Sequence, residues 1–203
     1  MSSRETILKS IRSHLAASPP DDPSEFVLSP MPVPQTPPVE LFKQNVEAVN
    51  GHCVVVSEAD VVEEVTRILR NCGPRIAISD APALQRFGIG PPTGNIFDYD
   101  VGISTAQAAI AETGTLVLDS ARERHRLVSL VPPIHIAIVD AASIFQTLGE
   151  ALAFIYQTGN ISPAVTFITG PSRTADIELT LAIGVHGPQE LFVIVNKGPS
   201  LSN

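Results

Sequence analysis

Three polar segments in the second half of the 203-residue chain combine the residue types that chemistry needs. The densest is Thr169-Gly170-Pro171-Ser172-Arg173-Thr174-Ala175-Asp176-Ile177-Glu178, followed by Gly184-Val185-His186-Gly187-Pro188. Glycine lets a backbone approach a ligand closely, and hydroxyls with free N–H groups cradle an anion. The planar guanidinium of Arg173 suits two-pronged recognition of a small carboxylate or phosphate. Asp176, Glu178 and His186 add acid/base groups or, with less support from their spacing, metal ligands. The same run also reads as a helix start capped by Ser172 or Thr174, with Asp176 favourable to the helix dipole. The two readings are compatible.

A second segment, Ala109-Ile110-Ala111-Glu112-Thr113-Gly114-Thr115, sets one carboxylate between two apolar stretches. Burial favours its protonated form and a nearby cation its charged form, which is how general acids, bases and carboxylate nucleophiles are tuned. The plainer reading is a tight turn in which Gly114 supplies an unusual backbone angle and Glu112 pairs locally. The third segment is Arg122-Glu123-Arg124-His125-Arg126, leading through Leu127 and Val128 to Pro132-Pro133-Ile134-His135. Its mixed charge reads as a solvated face. Arg126, next to the apolar pair, either turns inward to hold Glu112 or a substrate carboxylate, or stays in solvent. His135 opens a strand and reads as a hydrogen-bonded core histidine.

Several familiar signatures are missing. Gly88-Ile89-Gly90 leads into two prolines rather than a helix, and the chain has neither a phosphate-binding P-loop nor a nucleophile elbow. Nicotinamide, nucleoside triphosphate and serine hydrolase chemistries lose support. With 13 basic and 21 acidic residues the net charge is −8, which speaks against nucleic acid and against anionic membrane surfaces as partners. No apolar run approaches the roughly 20 residues of a membrane span, and the start MSSRETILKSIRSHL has no signal-peptide pattern, so a cytoplasmic location is expected. Cys53 and Cys72 are the only cysteines and are far from C-x-x-C spacing, so neither a disulfide framework nor a metal site on this chain is expected.

These segments need a scaffold to position them. A hydrophobic share of 44% against 17% charged residues predicts a substantial core, and the length suits one main domain. Ile7, Leu8, Ile11 and Leu15 recur at helical spacing, and eight prolines then fall between Ser18 and Pro38. Residues 1–38 therefore read as a helix and a proline-rich arm, and 39–203 as the domain. There, Phe42, Val46 and Val49 share a helical face that stops near Gly51. Cys53 to Val56 reads as a buried strand, and a helix follows with Ser57 and Asp60 as its cap. Ile76 to Ser79, Tyr99 to Ile103, Thr115 to Leu118, Ile134 to Val139, Val165 to Thr169 and Leu191 to Val195 continue as strands. Ala106 to Ala111 reads as a helical turn, and Ala141 to Gln157 as one long helix ending at Gly159. This alternation predicts an α/β fold, a mostly parallel sheet with helices on both faces. In such a sheet ligands bind at the carboxyl ends of strands, where this reading puts the polar segments.

The stretches AIAETGTLVL, RLVSLVPPIHIAIV and ITGPSRTADIELTLAIGVHGP together resemble the signature of the lactate utilisation protein C family, the LUD domain. The resemblance runs from about Tyr99 to Asn196, half the chain, and GPSRTADIE followed by GVHGP is its most specific part. It implies a fold like that of the sugar-phosphate isomerase and coenzyme A transferase group. It also implies a part in oxidising L-lactate to pyruvate with iron-sulfur partner proteins, the clusters being carried by those partners. Carried over residue by residue, the implied site comprises Glu112, Asp176, Glu178 and His186 as proton-handling groups. Thr113, Gly114, Arg126, Gly170, Ser172, Arg173, Thr174 and Gly187 would bind the substrate or an anion. An independent enzyme of small acids, acyl thioesters or sugar phosphates, and a non-enzymatic assembly factor docking iron-sulfur subunits, remain open as alternatives. The sequence also leaves a homo-oligomer open.

Overall fold

The computed structural model describes residues 3–17, 35–79, 81, 84, 95–122, 126–157, 163–174, 182–183 and 187–198. Two compact units divide the chain, residues 1–32 and 33–203. The first contains helix α1, Ser3–Ala17. Its apolar residues Ile7 and Ile11 are exposed.

In the second unit, helix α2 (Pro38–Ala48) starts on a proline whose fixed φ suits the first turn. It buries Phe42 and Val46. It ends where Asn50 adopts φ 65°, so that Asn50 N–H reaches Glu47 O at 3.0 Å and Gly51 N–H reaches Val46 O at 2.9 Å. This pair of bonds satisfies the last carbonyls of the helix. Strand β1 (His52–Val56) follows. Helix α3 (Val61–Leu69) is entered through a 3-10 turn, Glu58–Asp60. The Ser57 hydroxyl bonds the Asp60 carboxylate and caps no backbone N–H, unlike the expected arrangement.

Strands β1, β2 (Ile76–Ile78), β3 (Val101–Ala106), β6 (Ile134–Asp140) and β11 (Glu190–Asn196) form sheet A. Its order is β1-β11-β6-β3-β2, and every pair is parallel. The period-two alternation of a strand divides the apolar residues between two faces. Cys53, Ala137, Val139, Leu191, Val193 and Val195 pack with Phe42 and Val46 of α2. Ile103, Ile136, Ile138 and Ile194 pack with Val61, Val65 and Ile68 of α3. The expected α/β layout, a parallel sheet between helices, is what the chain adopts.

A second sheet was not expected. Strands β4 (Ala108–Ile110), β5 (Thr115–Asp119), β7 (Ile144–Phe145) and β8 (Val165–Thr169) form sheet B in the order β7-β4-β5-β8. Ala106 to Ala111 is thus no helical turn. Ala109 and Ala111 face one core cluster while Ala108 and Ile110 face another, so burial on both faces overrides the helix propensity of alanine. The long helix read over Ala141 to Gln157 is also corrected. A 3-10 turn (Ala141–Ser143) leads into β7, and helix α4 covers only Leu148–Tyr156. Thr147 and Glu150 form a reciprocal capping box that places its start. A two-residue hairpin strand pair, β9 (Arg173–Thr174) with β10 (Ala182–Ile183), completes the described elements. The helix read as starting after Ser172 or Thr174 falls on residues outside the described ones.

Candidate functional site

Glu112, Thr113 and Gly114 form the turn of the β4–β5 hairpin, a pair of antiparallel strands. The Glu112 carboxylate accepts the Leu148 N–H at 2.8 Å, at the amino end of α4, where a negative charge is favoured. Gly114 has φ 65°, and a Cβ there would stand 2.6 Å from the Val46 nitrogen of α2. Helix backbone thus lies directly against the turn. Asn45 of α2 seals the contact by donating from Nδ2 to Ala111 O at 2.7 Å.

The Gly170–Arg173 segment meets the same helix end. Gly170 has φ 72°, and a Cβ there would fall 2.9 Å from Val49 O. The Arg173 guanidinium donates to that same Val49 carbonyl at 2.9 Å. A cation at a helix carboxyl end satisfies a free carbonyl and complements the dipole. Between the two segments runs a line of hydroxyls. Thr113 Oγ1 lies 2.7 Å from Thr115 Oγ1, which lies 2.7 Å from Thr169 Oγ1 across the β5–β8 pairing. Ser172 N–H donates to Pro188 O at 2.8 Å, and a Cβ on Gly187 would stand 3.1 Å from Ser172 Cβ. Thr174 lies in β9.

Two segments nearly 60 residues apart in sequence therefore converge on one turn of α2. They do so from sheet B, with β8 antiparallel to β5. The expectation that the Gly170 segment follows a strand of the parallel sheet, and occupies its carboxyl end, is overturned. Arg126 is not part of the cluster. It lies exposed in a 3-10 turn (Arg126–Ser129), and among the described residues no ion pair joins it to Glu112. That turn is fixed on β3, where a Cβ at Gly102 would clash with the Val128 carbonyl oxygen. Asp176, Glu178 and His186 lie outside the described residues.

His135 is a core residue. It is fully buried and its Nε2 lies 2.8 Å from the Ser104 hydroxyl. Burial pushes its pKa down to about 4, so the ring is neutral. Asn45 escaped the sequence reading, as did the part that the Val49 carbonyl plays as acceptor for Arg173. The signal was available, because Asn45 falls on the same stripe as Phe42 and Val49, where a polar residue implies a specific partner. Cys53 is buried and its thiol is pushed up to about 12, and Cys72 gives its S–H to Ile68 O at 3.2 Å. Among the described residues no helix is long and apolar enough to cross a membrane.

The fold and the converging turn define the class: an α/β protein whose parallel sheet is joined to a small mixed sheet, with its glycine-rich motifs seated on one helix end. Comparison with known proteins places it further. The family model for the LUD domain matches residues 93–195. The lactate utilization protein C of Geobacillus sp. (strain WCH70) is 36% identical over 170 residues, covering 77% of this chain and 67% of that protein. An uncharacterized protein of Neisseria meningitidis serogroup B is 45% identical over 98 residues, 48% of this chain and 42% of its own length. The chain thus spans less than half of that relative. A crystal structure of a DUF162 family protein from Deinococcus radiodurans superposes with a TM-score of 0.59 at 24% identity, covering 80% of this chain and 99% of that one. It shares the fold. The chain belongs to the LUD-domain family.

Proposed function

We propose that the protein is a component of a lactate utilisation system, taking part in the oxidation of L-lactate to pyruvate together with iron-sulfur proteins. The observation that carries this reading is the relationship, along 77% of the chain, to a protein named lactate utilization protein C. The oxidation removes two electrons and two protons from the substrate. The electrons pass to clusters on the partner chains, because two separated cysteines cannot supply the four thiolates that a cluster takes.

Within this reading Arg173, with the hydroxyls and N–H groups of Ser172 and Thr174 and the flexible backbone of Gly170 and Gly187, binds the carboxylate of lactate or a related acid. Thr113 and Gly114 line the same approach, and Glu112 or His186 takes a proton, with Asp176 and Glu178 as further acid/base groups. Two features support it. The Arg173 side chain is exposed and spends one donor on Val49, leaving others of its five for a ligand. Glu112 stands beside the exposed Thr113, at the open end of the hydroxyl line.

The direct test is thermal stabilisation of the full chain by L-lactate, pyruvate and inorganic phosphate, repeated with Arg173→Ala. A ligand present at 100 times its Kd should raise stability by about 2.7 kcal/mol, and the variant should lose that shift while remaining folded. An unchanged shift in Arg173→Ala would remove Arg173 from the site.

A further inference from the structure

A groove of about 710 Å³ opens where α2 gives way to β1, within the size range of small-molecule sites. Glu47, from the last turn of α2, and Asn50, from the link to β1, form one part of its lining. Glu64, Arg67 and Ile68 of α3 form another. Val54 of β1 and Phe192 of β11 add apolar surface. The ring of the exposed His52 stacks on that of Phe192, with centroids 4.7 Å apart and planes 19° from parallel. The groove thus holds a flat aromatic surface beside charged groups.

Its charge is acidic. Two carboxylates stand against one guanidinium among the lining residues. Arg67 spends Nε and Nη2 on the two Glu64 oxygens, at 2.8 and 2.6 Å, so that pair is neutral as a unit. Glu47 is left over. Lys43 Nζ stands 3.7 Å from it and is not part of the lining, and a half-exposed pair of this kind holds its partners weakly. The negative field reaches the inner wall. The Cys53 thiol there is pushed up to about 12, by burial first and then by Glu47, whose effect exceeds the opposing one of Lys43.

We propose that this groove is a second ligand site, which takes a small organic cation: an amidinium, guanidinium or ammonium group on Glu47, carried by a flat or apolar body that lies on the His52–Phe192 pair. Charge selects this occupant. A small acid of the kind proposed for Arg173 meets a net negative lining here, whereas a cation gains both a carboxylate and an aromatic face. The Asn50 side chain offers a carbonyl acceptor for a further N–H of the ligand. The rings and apolar side chains set such a ligand apart from a bare metal ion, which takes several oxygen ligands and makes no use of them.

Benzamidine is the probe, with the neutral isostere benzamide and the anion benzoate as controls. Titration of the isotope-labelled full chain, followed by amide NMR, reads both affinity and place. Benzamidine is expected to shift the signals of Asn50, Gly51 and His52 and to bind about tenfold more tightly than benzamide, with no shift there from benzoate. Glu47→Gln, at a side chain 49% exposed, keeps the fold and is expected to erase that preference. His52→Ala is expected to weaken benzamidine binding about threefold by removing the aromatic surface. No shift at these amides with up to roughly 10 mM benzamidine overturns the proposal, and so does a preference that survives in Glu47→Gln. Equal shifts with magnesium chloride would make the groove a site for bare charge, which also overturns it.

Discussion

At the scale of single residues, glycines and one histidine bear the strictest constraints. Gly114 combines φ 65° with a helix nitrogen 2.6 Å from where a Cβ would sit. Gly114→Ala is therefore expected to cost about 2–4 kcal/mol, from backbone strain and displacement of α2 together. Urea unfolding checks this, and a loss under 1 kcal/mol would mean that α2 is not held against the hairpin. His135 gives a pH dependence of known sign. Its folded pKa of about 4 lies below the ordinary 6.5 because its burial disfavours the charged ring. The unfolded chain takes up the proton first. The stabilisation is therefore complete above pH 6.5 and lost as pH falls from 6.5 towards 4, by about 3 kcal/mol in all. His135→Gln keeps a partner for Ser104 without titrating, so its unfolding free energy should fall less over that window than that of the wild type. Parallel curves for the two proteins would contradict the buried neutral histidine.

At the scale of elements, the parallel strands and α3 were legible because their signals are local. Cys53 to Val56 is a continuous apolar run between turn residues, and Val61, Val65 and Ile68 repeat at helical spacing. Of sheet B only β5 and β8 were legible, since the identity of β4 depends on partners that sequence does not display. Three small apolar residues become a strand only because β5 and β7 pair with them. Within the site, Glu112, Gly114, Gly170 and Arg173 stood out by type, but their meeting point on α2 did not, because it depends on how a hairpin from sheet B folds back. The start of α4 shows how a short signal outweighs a long pattern. Ile144 and Phe145 fit a helical stripe, yet Thr147 with Glu150 begins the helix three residues later. Thr147→Ala is expected to destabilise the protein by about 1 kcal/mol. Thermal unfolding would show it, and an unaltered melting temperature would mean that the cap is dispensable.

At the scale of the whole molecule, two glycine-rich segments from the small sheet hold the end of a helix that belongs to the large one. That arrangement ties the family's motif to the junction between α2 and β1. The proposed role in lactate utilisation is a claim about the protein in its cell, and it is tested most directly there. The decisive measurement is growth on L-lactate as sole carbon source by a strain lacking this protein, supplied with the wild type, with Arg173→Ala, or with neither. The account predicts that the wild type restores growth and that Arg173→Ala, expressed at equal level, does not. Growth on L-lactate without the protein would contradict the proposed role, and full restoration by Arg173→Ala would contradict the proposed site.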